Sequence, residues 1–293
     1  MTIQGFNLDE VEQFHNQVSK IIKQLKDDID YRNDIIAHGK NYNNVKIYFQ
    51  KISRFLQYPN SANINNFYRV RKNETDNPFK SRKELVYPEP NTNQKDRMNN
   101  TKFRILYVSL NEFTAIAETR IDNDYIGKNF QLTRFSTNNT LTVYKLGMFS
   151  ELYLNSPRDS DYVKEKMNNM FGSEHHDKTI QGYSALECAM ADILYSKEED
   201  YHLLSAILAD AIFTTNPKID AIMYPSMQNR YGINLAIRKE CADLLEISYS
   251  SLNELQKVYQ NGFYKYYTKM ECLDFDNIKE FEFNKIERNA TFR

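Results

Sequence analysis

Leu106-Tyr107-Val108-Ser109-Leu110-Asn111-Glu112-Phe113-Thr114-Ala115-Ile116-Ala117-Glu118-Thr119 decides how this chain is read. Its first half is a short β-like run ending at Ser109, and Ser109 with Glu112 has the Ser-x-x-Glu spacing of a capping box. A short helix over Glu112 to Thr119 follows, with Phe113, Ala115, Ile116 and Ala117 as its apolar residues. Strand, cap and helix form one unit, which leaves the carboxylate of Glu118 in the last helical turn.

Upstream, Phe67 to Lys72 and Phe103 to Ser109 read as strands separated by a polar stretch carrying Pro78, Pro88 and Pro90. A loop of that length inside a domain is uncommon and often functional. Before it, Asn7 with Glu10 starts an amphipathic helix over residues 7 to 30, whose apolar positions run from Leu8 to Ile29. A second helix spans Val45 to Leu56, and Tyr58-Pro59-Asn60-Ser61 ends it. This predicts a helical N-terminal segment, residues 1–60, ahead of a second region, residues 61–293.

Downstream, Asn129 to Ser136 and Thr140 to Leu146 read as strands, followed by helices near 160–171, 183–196 and 199–213. Strand patterns return at Ala221 to Tyr224 and Ile233 to Ile237. Asn261-Gly262 between Leu255–Tyr259 and Phe263–Tyr267 is a hairpin signal. Helices and strands mix without regular alternation, which favours an α+β fold over a doubly wound sheet.

Composition narrows the function classes. The chain has 38 Lys and Arg against 39 Asp and Glu, a net charge of −1, so no overall field favours nucleic acid or an anionic membrane. Only 8 of 293 residues are glycine, and the closest two are Gly172 and Gly182, which removes every Gly-rich phosphate cradle. Neither a leader nor a run of about 18 apolar residues occurs, so a soluble cytoplasmic protein is expected. Cys188, Cys241 and Cys272 form no C-x-x-C pair and predict reduced thiols, mostly buried. His175-His176 diverge on any regular backbone, so no metal site is expected.

Three segments gain meaning together: Tyr68-Arg69 in the strand Phe67-Tyr68-Arg69-Val70-Arg71, the unit Leu106 to Thr119, and Tyr224-Pro225-Ser226 with Gly232-Ile233-Asn234-Leu235 after it. With Arg97-Met98-Asn99 they resemble the RES family over roughly residues 66 to 240, most specifically in the Tyr107-to-Glu118 block and Tyr-Pro-Ser. The chain departs from many members at Asp96, where they carry Gly before the second Arg. The resemblance implies a fold like that of ADP-ribosyltransferase toxins, a mixed β core with surrounding helices. It also implies an activity that consumes NAD⁺, by hydrolysis or by phosphorolysis with inorganic phosphate, in a toxin held by a cognate antitoxin. The site it implies is Arg69, Arg97, Tyr107, Glu118 and Ser226. Arg71, on the same strand face as Arg69, is an alternate for it. NAD⁺ is expected as substrate with no metal cofactor, partners on membranes or nucleic acid are not expected, and assembly into a homo-oligomer is left open.

The residue chemistry suits that expectation. Nicotinamide leaves a pyridinium as a neutral base, so no acid need protonate it, and one carboxylate to stabilise an oxocarbenium-like ribose suffices. Glu118 is that carboxylate. Arg69 and Arg97 offer planar forks for the pyrophosphate, Tyr107 a face for the nicotinamide or ribose, and Ser226 a hydroxyl for the ribose or the amide. Singly, each has an ordinary explanation: a rim ion pair for Arg69, a solvated helix end for Glu118, core packing for Tyr107 and a turn for Ser226.

A separate motif, Arg32-Asn33-Asp34-Ile35-Ile36-Ala37-His38, resembles that of HEPN nucleases, in which His would serve as acid or base and Arg would hold a phosphate. The ordinary account is a helix end, with His38 and Gly39 where caps belong. The rival functions are therefore transfer of ADP-ribose to a macromolecule, RNA cleavage through Arg32 and His38, and a fold that binds NAD⁺ without turnover.

Overall fold

The computed structural model describes residues 8–54, 60–73, 75–87, 98, 104–147, 177–196, 198–229, 232–260, 262–276 and 280–290. Asn7, Arg97, the expected helix at 160–171 and His175-His176 lie outside them. The chain is α+β and forms two compact units: Met1–Asn60, Gln94–Phe103 and Thr142–Tyr224 in one; Ser61–Asn93, Arg104–Leu141 and Pro225–Arg293 in the other. The helical N-terminal segment thus shares a unit with a stretch of chain far along the sequence.

In the first unit the helices are α1 (Leu8–Asp27), α2 (Ile29–Ile36) and α3 (Lys40–Ser53), with two long later helices, Asp177–Tyr195 and Glu199–Thr215. The expected helix at residues 7–30 is broken at Asp28, whose carboxylate accepts the Tyr31 N–H at 2.9 Å and caps α2. Val11, Phe14, Val18, Ile21, Ile22 and Leu25 are buried as the periodicity requires, but Ile29, beyond the break, is 67% exposed. Helix α3 begins five residues earlier than expected and buries Tyr42, Val45 and Phe49, packing chiefly on Glu199–Thr215, while α1 packs on Asp177–Tyr195. Two parallel strands complete this unit, with Val143 opposite Ala221 and Lys145 opposite Met223.

The second unit is built on antiparallel strands. In chain order they are β2 (Asn66–Asn73), β3 (Ile105–Ser109), β4 (Asn129–Ser136), β7 (Ile233–Arg238), β8 (Glu246–Tyr259), β9 (Phe263–Cys272) and β10 (Asn284–Ala290); a short strand β1 (Asn60–Ala62) precedes them, and the parallel pair β5 (Leu141–Lys145) and β6 (Ala221–Pro225) falls between β4 and β7. Their spatial order is β7-β3-β2-β4-β8-β9-β10. The expected hairpin is present with longer arms, and β9 also pairs with β10.

Helix α4 (Arg82–Val86) and helix α5 (Glu112–Glu118) lie on opposite faces of this sheet. Side chains alternate along a strand, so Tyr68 and Val70 of β2 face one way and Arg69 and Arg71 the other. Val70, Phe130 and Leu132 join Ala115, Ile116 and Ala117 of α5 in one buried cluster, with Tyr68 packed against it. On the other face, Arg69 and Arg71 donate to the carbonyls of Leu85 and Glu84 in α4. No helix among the described residues is long and apolar enough to cross a membrane.

Candidate active site

Helix α5 starts differently from the Ser109–Glu112 box. Ser109 is the last residue of β3, and the cap is Asn111, whose side-chain oxygen accepts the Thr114 N–H at 2.8 Å. Freed from capping, the Ser109 hydroxyl points to the neighbouring strand, where Asn234 is its register partner. It donates to Asn234 Oδ1 at 2.7 Å, and both residues are 3% exposed.

Three elements of the second unit meet at Glu118. Helix α5 ends at this residue, and Arg120 closes it with a left-handed φ of 53°, its N–H donating to Ala117 O at 2.8 Å. Glu118 Oε1 accepts the Ser226 hydroxyl at 2.6 Å and Asn234 Nδ2 at 2.7 Å. Its Oε2 has no hydrogen bond among the described residues, and the side chain is exposed. Among the described residues no cation pairs with it, and its donors there are neutral.

Ser226 is fixed as firmly as the acid it holds. It is 8% exposed and follows the strand Ala221–Pro225 directly. Its hydroxyl oxygen accepts the N–H groups of Gln228 at 3.1 Å and Asn229 at 2.9 Å, while its single proton goes to Glu118. The backbone closes the turn, Ser226 N donating to Gly232 O and Gly232 N to Asn229 O, both at 2.8 Å. Asn229 Nδ2 reaches Thr114 Oγ1 at 3.1 Å and so ties the turn to α5. Gly232 is required by close approach, since a Cβ there would meet Thr114 Cγ2 and Oγ1 at 2.5 Å and Ser226 Cβ at 3.0 Å.

A family model for the RES domain matches residues 66–254, more than half of the chain. The chain belongs to the RES domain family. No curated protein and no solved structure matches it significantly. Within this RES domain, folding brings Glu118 and Ser226 into direct contact across 108 positions of sequence. Tyr107 lies on the same face of β3 as Ser109, half-buried and opposite Ala236 of β7, one step along the face from the Ser109–Asn234 pair. Arg97 is outside the described residues.

Arg69 is not brought to Glu118. It sits on the face of β2 that carries α4, where its Nη1 donates to Leu85 O at 2.7 Å, and Arg71 shares that face and stacks over Phe79 at 4.2 Å. The strand's period of two separates them from the acid, because Tyr68 and not Arg69 takes the α5 side. Ser226 gives its proton to Glu118.

Sequence reading missed Asn234, Ser109, Asn229, Thr114 and Gly232 as parts of the site. The signal for Asn234 was present, as an amide inside the apolar run Ile233–Ile237 must find buried partners. Among the described residues no group of three or more His, Cys, Asp or Glu is placed to hold a metal ion.

In the helical unit, Arg32 ion-pairs with Asp200. His38 takes a left-handed φ of 58° between α2 and α3 and stacks on Tyr42 with ring centroids 4.3 Å apart. Its place is the turn between two helices, the ordinary account given above.

Proposed function

We propose that this RES domain degrades NAD⁺ by breaking the bond between nicotinamide and ribose, with water or inorganic phosphate as acceptor, and that it acts as a toxin under the control of an antitoxin. The observation that carries this reading is the Glu118 carboxylate: one oxygen is fixed by Ser226 and Asn234, and among the described residues the other is open and no cation pairs with the group. A fixed negative charge is what a ribose needs as C1′ becomes electron-poor. The C1′–N1 bond breaks with its electron pair going to the ring nitrogen, so nicotinamide departs neutral and without a proton. Water or phosphate then bonds to C1′ through oxygen, water losing its proton to solvent.

Tyr107, on the same sheet face as the acid's supports, offers a ring for the nicotinamide or ribose. The pyrophosphate falls to Arg97 on the strength of the family resemblance. Arg69 in this reading holds α4 in place. The test is nicotinamide release from NAD⁺ by the purified chain, with product analysis in the presence and absence of phosphate. ADP-ribose would indicate hydrolysis, and its phosphorylated counterpart phosphorolysis. Turnover seen only when a protein or nucleic acid acceptor is added would assign transfer of ADP-ribose, the second reading. No nicotinamide release under any of these conditions overturns the proposal.

A further inference from the structure

We infer that Asn234 and Ser109 are positioning residues for Glu118, and that they make Oε2 the oxygen that faces the substrate. The inference rests on the NAD⁺-cleaving reading above. A carboxylate on a two-carbon side chain at a helix end can turn about its last torsion, and that torsion is broad. Here two donors meet a single oxygen from different elements, Ser226 from the turn after Ala221–Pro225 and Asn234 from β7. Two donors on one oxygen fix the plane of the group and leave the other oxygen outward.

The Asn234 amide has to present its NH2 to Glu118, because an ionised carboxylate only accepts. Its Oδ1 is then turned toward β3, where the donor among the described residues is the Ser109 hydroxyl at 2.7 Å. Both residues are directly opposed in an antiparallel register and buried, so no solvent can replace the bond between them. Protons therefore run one way along the relay, from Ser109 to Asn234 and from Asn234 to Glu118. Without the hydroxyl, the buried Oδ1 has no donor, and the amide swings away from Glu118 to recover one. The acid then keeps Ser226 alone and gains a free rotation in which Oε2 leaves its working position.

Thr and Val differ at position 109 only in the hydroxyl, since their shapes nearly coincide and both suit a strand. The purified full chain carrying Ser109→Thr should release nicotinamide with kcat and KM within about two-fold of the parent. Ser109→Val should lower kcat about ten-fold with KM nearly unchanged, as expected when a reacting group is misplaced after binding. Added to Glu118→Gln, Ser109→Val should cause no additional loss, because its effect passes through the acid. Ser109→Ala serves as a second hydroxyl-free variant, and a thermal melt verifies that each variant is folded. Equal kcat in the Thr and Val variants, or a further ten-fold loss on top of Glu118→Gln, overturns the inference while leaving NAD⁺ cleavage standing. A parent chain that releases no nicotinamide overturns both.

Discussion

Asp210 in the helical unit and Glu118 in the sheet unit are each held by side chains distant in sequence, yet they are left in opposite states. Asp210 accepts Lys46 Nζ at 2.9 Å, the Tyr42 hydroxyl at 2.8 Å and the Thr214 hydroxyl at 3.0 Å, which satisfies both oxygens and cancels its charge. Glu118 has donors just as short, but they are neutral and converge on one oxygen. The difference separates an acid that holds helices together from one that, in the proposed function, is held ready. An ion pair spends the charge on the fold, whereas neutral donors fix the position of a carboxylate and leave its field for something else.

The largest expected effect breaks this comparison at Glu118. Glu118→Gln keeps an oxygen for Ser226 and Asn234 but removes the charge, so kcat for nicotinamide release should fall on the order of 10²–10⁴-fold while the melting temperature stays close to the parent's. A folded variant with undiminished turnover would remove Glu118 from the mechanism.

Gly232 comes next, because its missing Cβ lets the Ser226 turn lie against α5. Gly232→Ala forces Thr114 or Ser226 aside and should cost about 1–3 kcal/mol of stability in a denaturant titration. It should also reduce turnover, because the Ser226 bond to Glu118 is disturbed. Unaltered stability would mean that the turn has slack which the 2.5 Å approach denies.

Asp210→Ala supplies the mirror of the first variant. It strands Lys46 and Tyr42 at a site about one-fifth exposed and should cost about 1–3 kcal/mol, with nicotinamide release per folded molecule unchanged. Loss of turnover at full stability would erase the distinction between the two acids.

The smallest effect is on pH, at a third acid. Tyr87 donates its hydroxyl to Asp243 at 2.7 Å, and burial together with that carboxylate pushes the phenol well above its ordinary value of 10.0. The native state therefore favours the protonated phenol. Its contribution is whole below pH 10 and is lost progressively as pH rises beyond it. Tyr87→Phe should cost about 1 kcal/mol at neutral pH and flatten the alkaline decline in melting temperature; an unchanged alkaline slope would exclude this pair as its source.

What could be read from sequence depended on whether the deciding interaction was local. Phe14, Val18, Ile21 and Leu25 announced α1 through their spacing, and the aromatic arms around Gly262 announced the β8–β9 hairpin. The stop at Asp28 was written in the same alphabet, since Asp before Ile-Asp-Tyr is a cap, but the apolar pattern ran through it to Ile29. Helix α4 was passed over inside the stretch read as loop, although Ser81 and Glu84 make a full capping box. Of the site, Glu118 and Ser226 were recoverable from motif order. The amide of Asn234 inside an apolar run signalled a buried partner, but that the partner is Ser109 lies in a register pairing across 125 positions that no local window contains. Arg69 shows the converse hazard: a motif supplies the residue, while the parity of its strand decides which side it serves.

The division of the chain between its two units has a bearing on how the molecule is made. Helices α1 to α3 leave the ribosome early, but the helices on which α1 and α3 pack begin at Asp177 and Glu199. At about 5–20 residues per second, that interval lasts on the order of ten seconds. During synthesis the first three helices carry an uncovered apolar stripe, a natural target for a holdase, and native helical packing waits until most of the polypeptide has been translated.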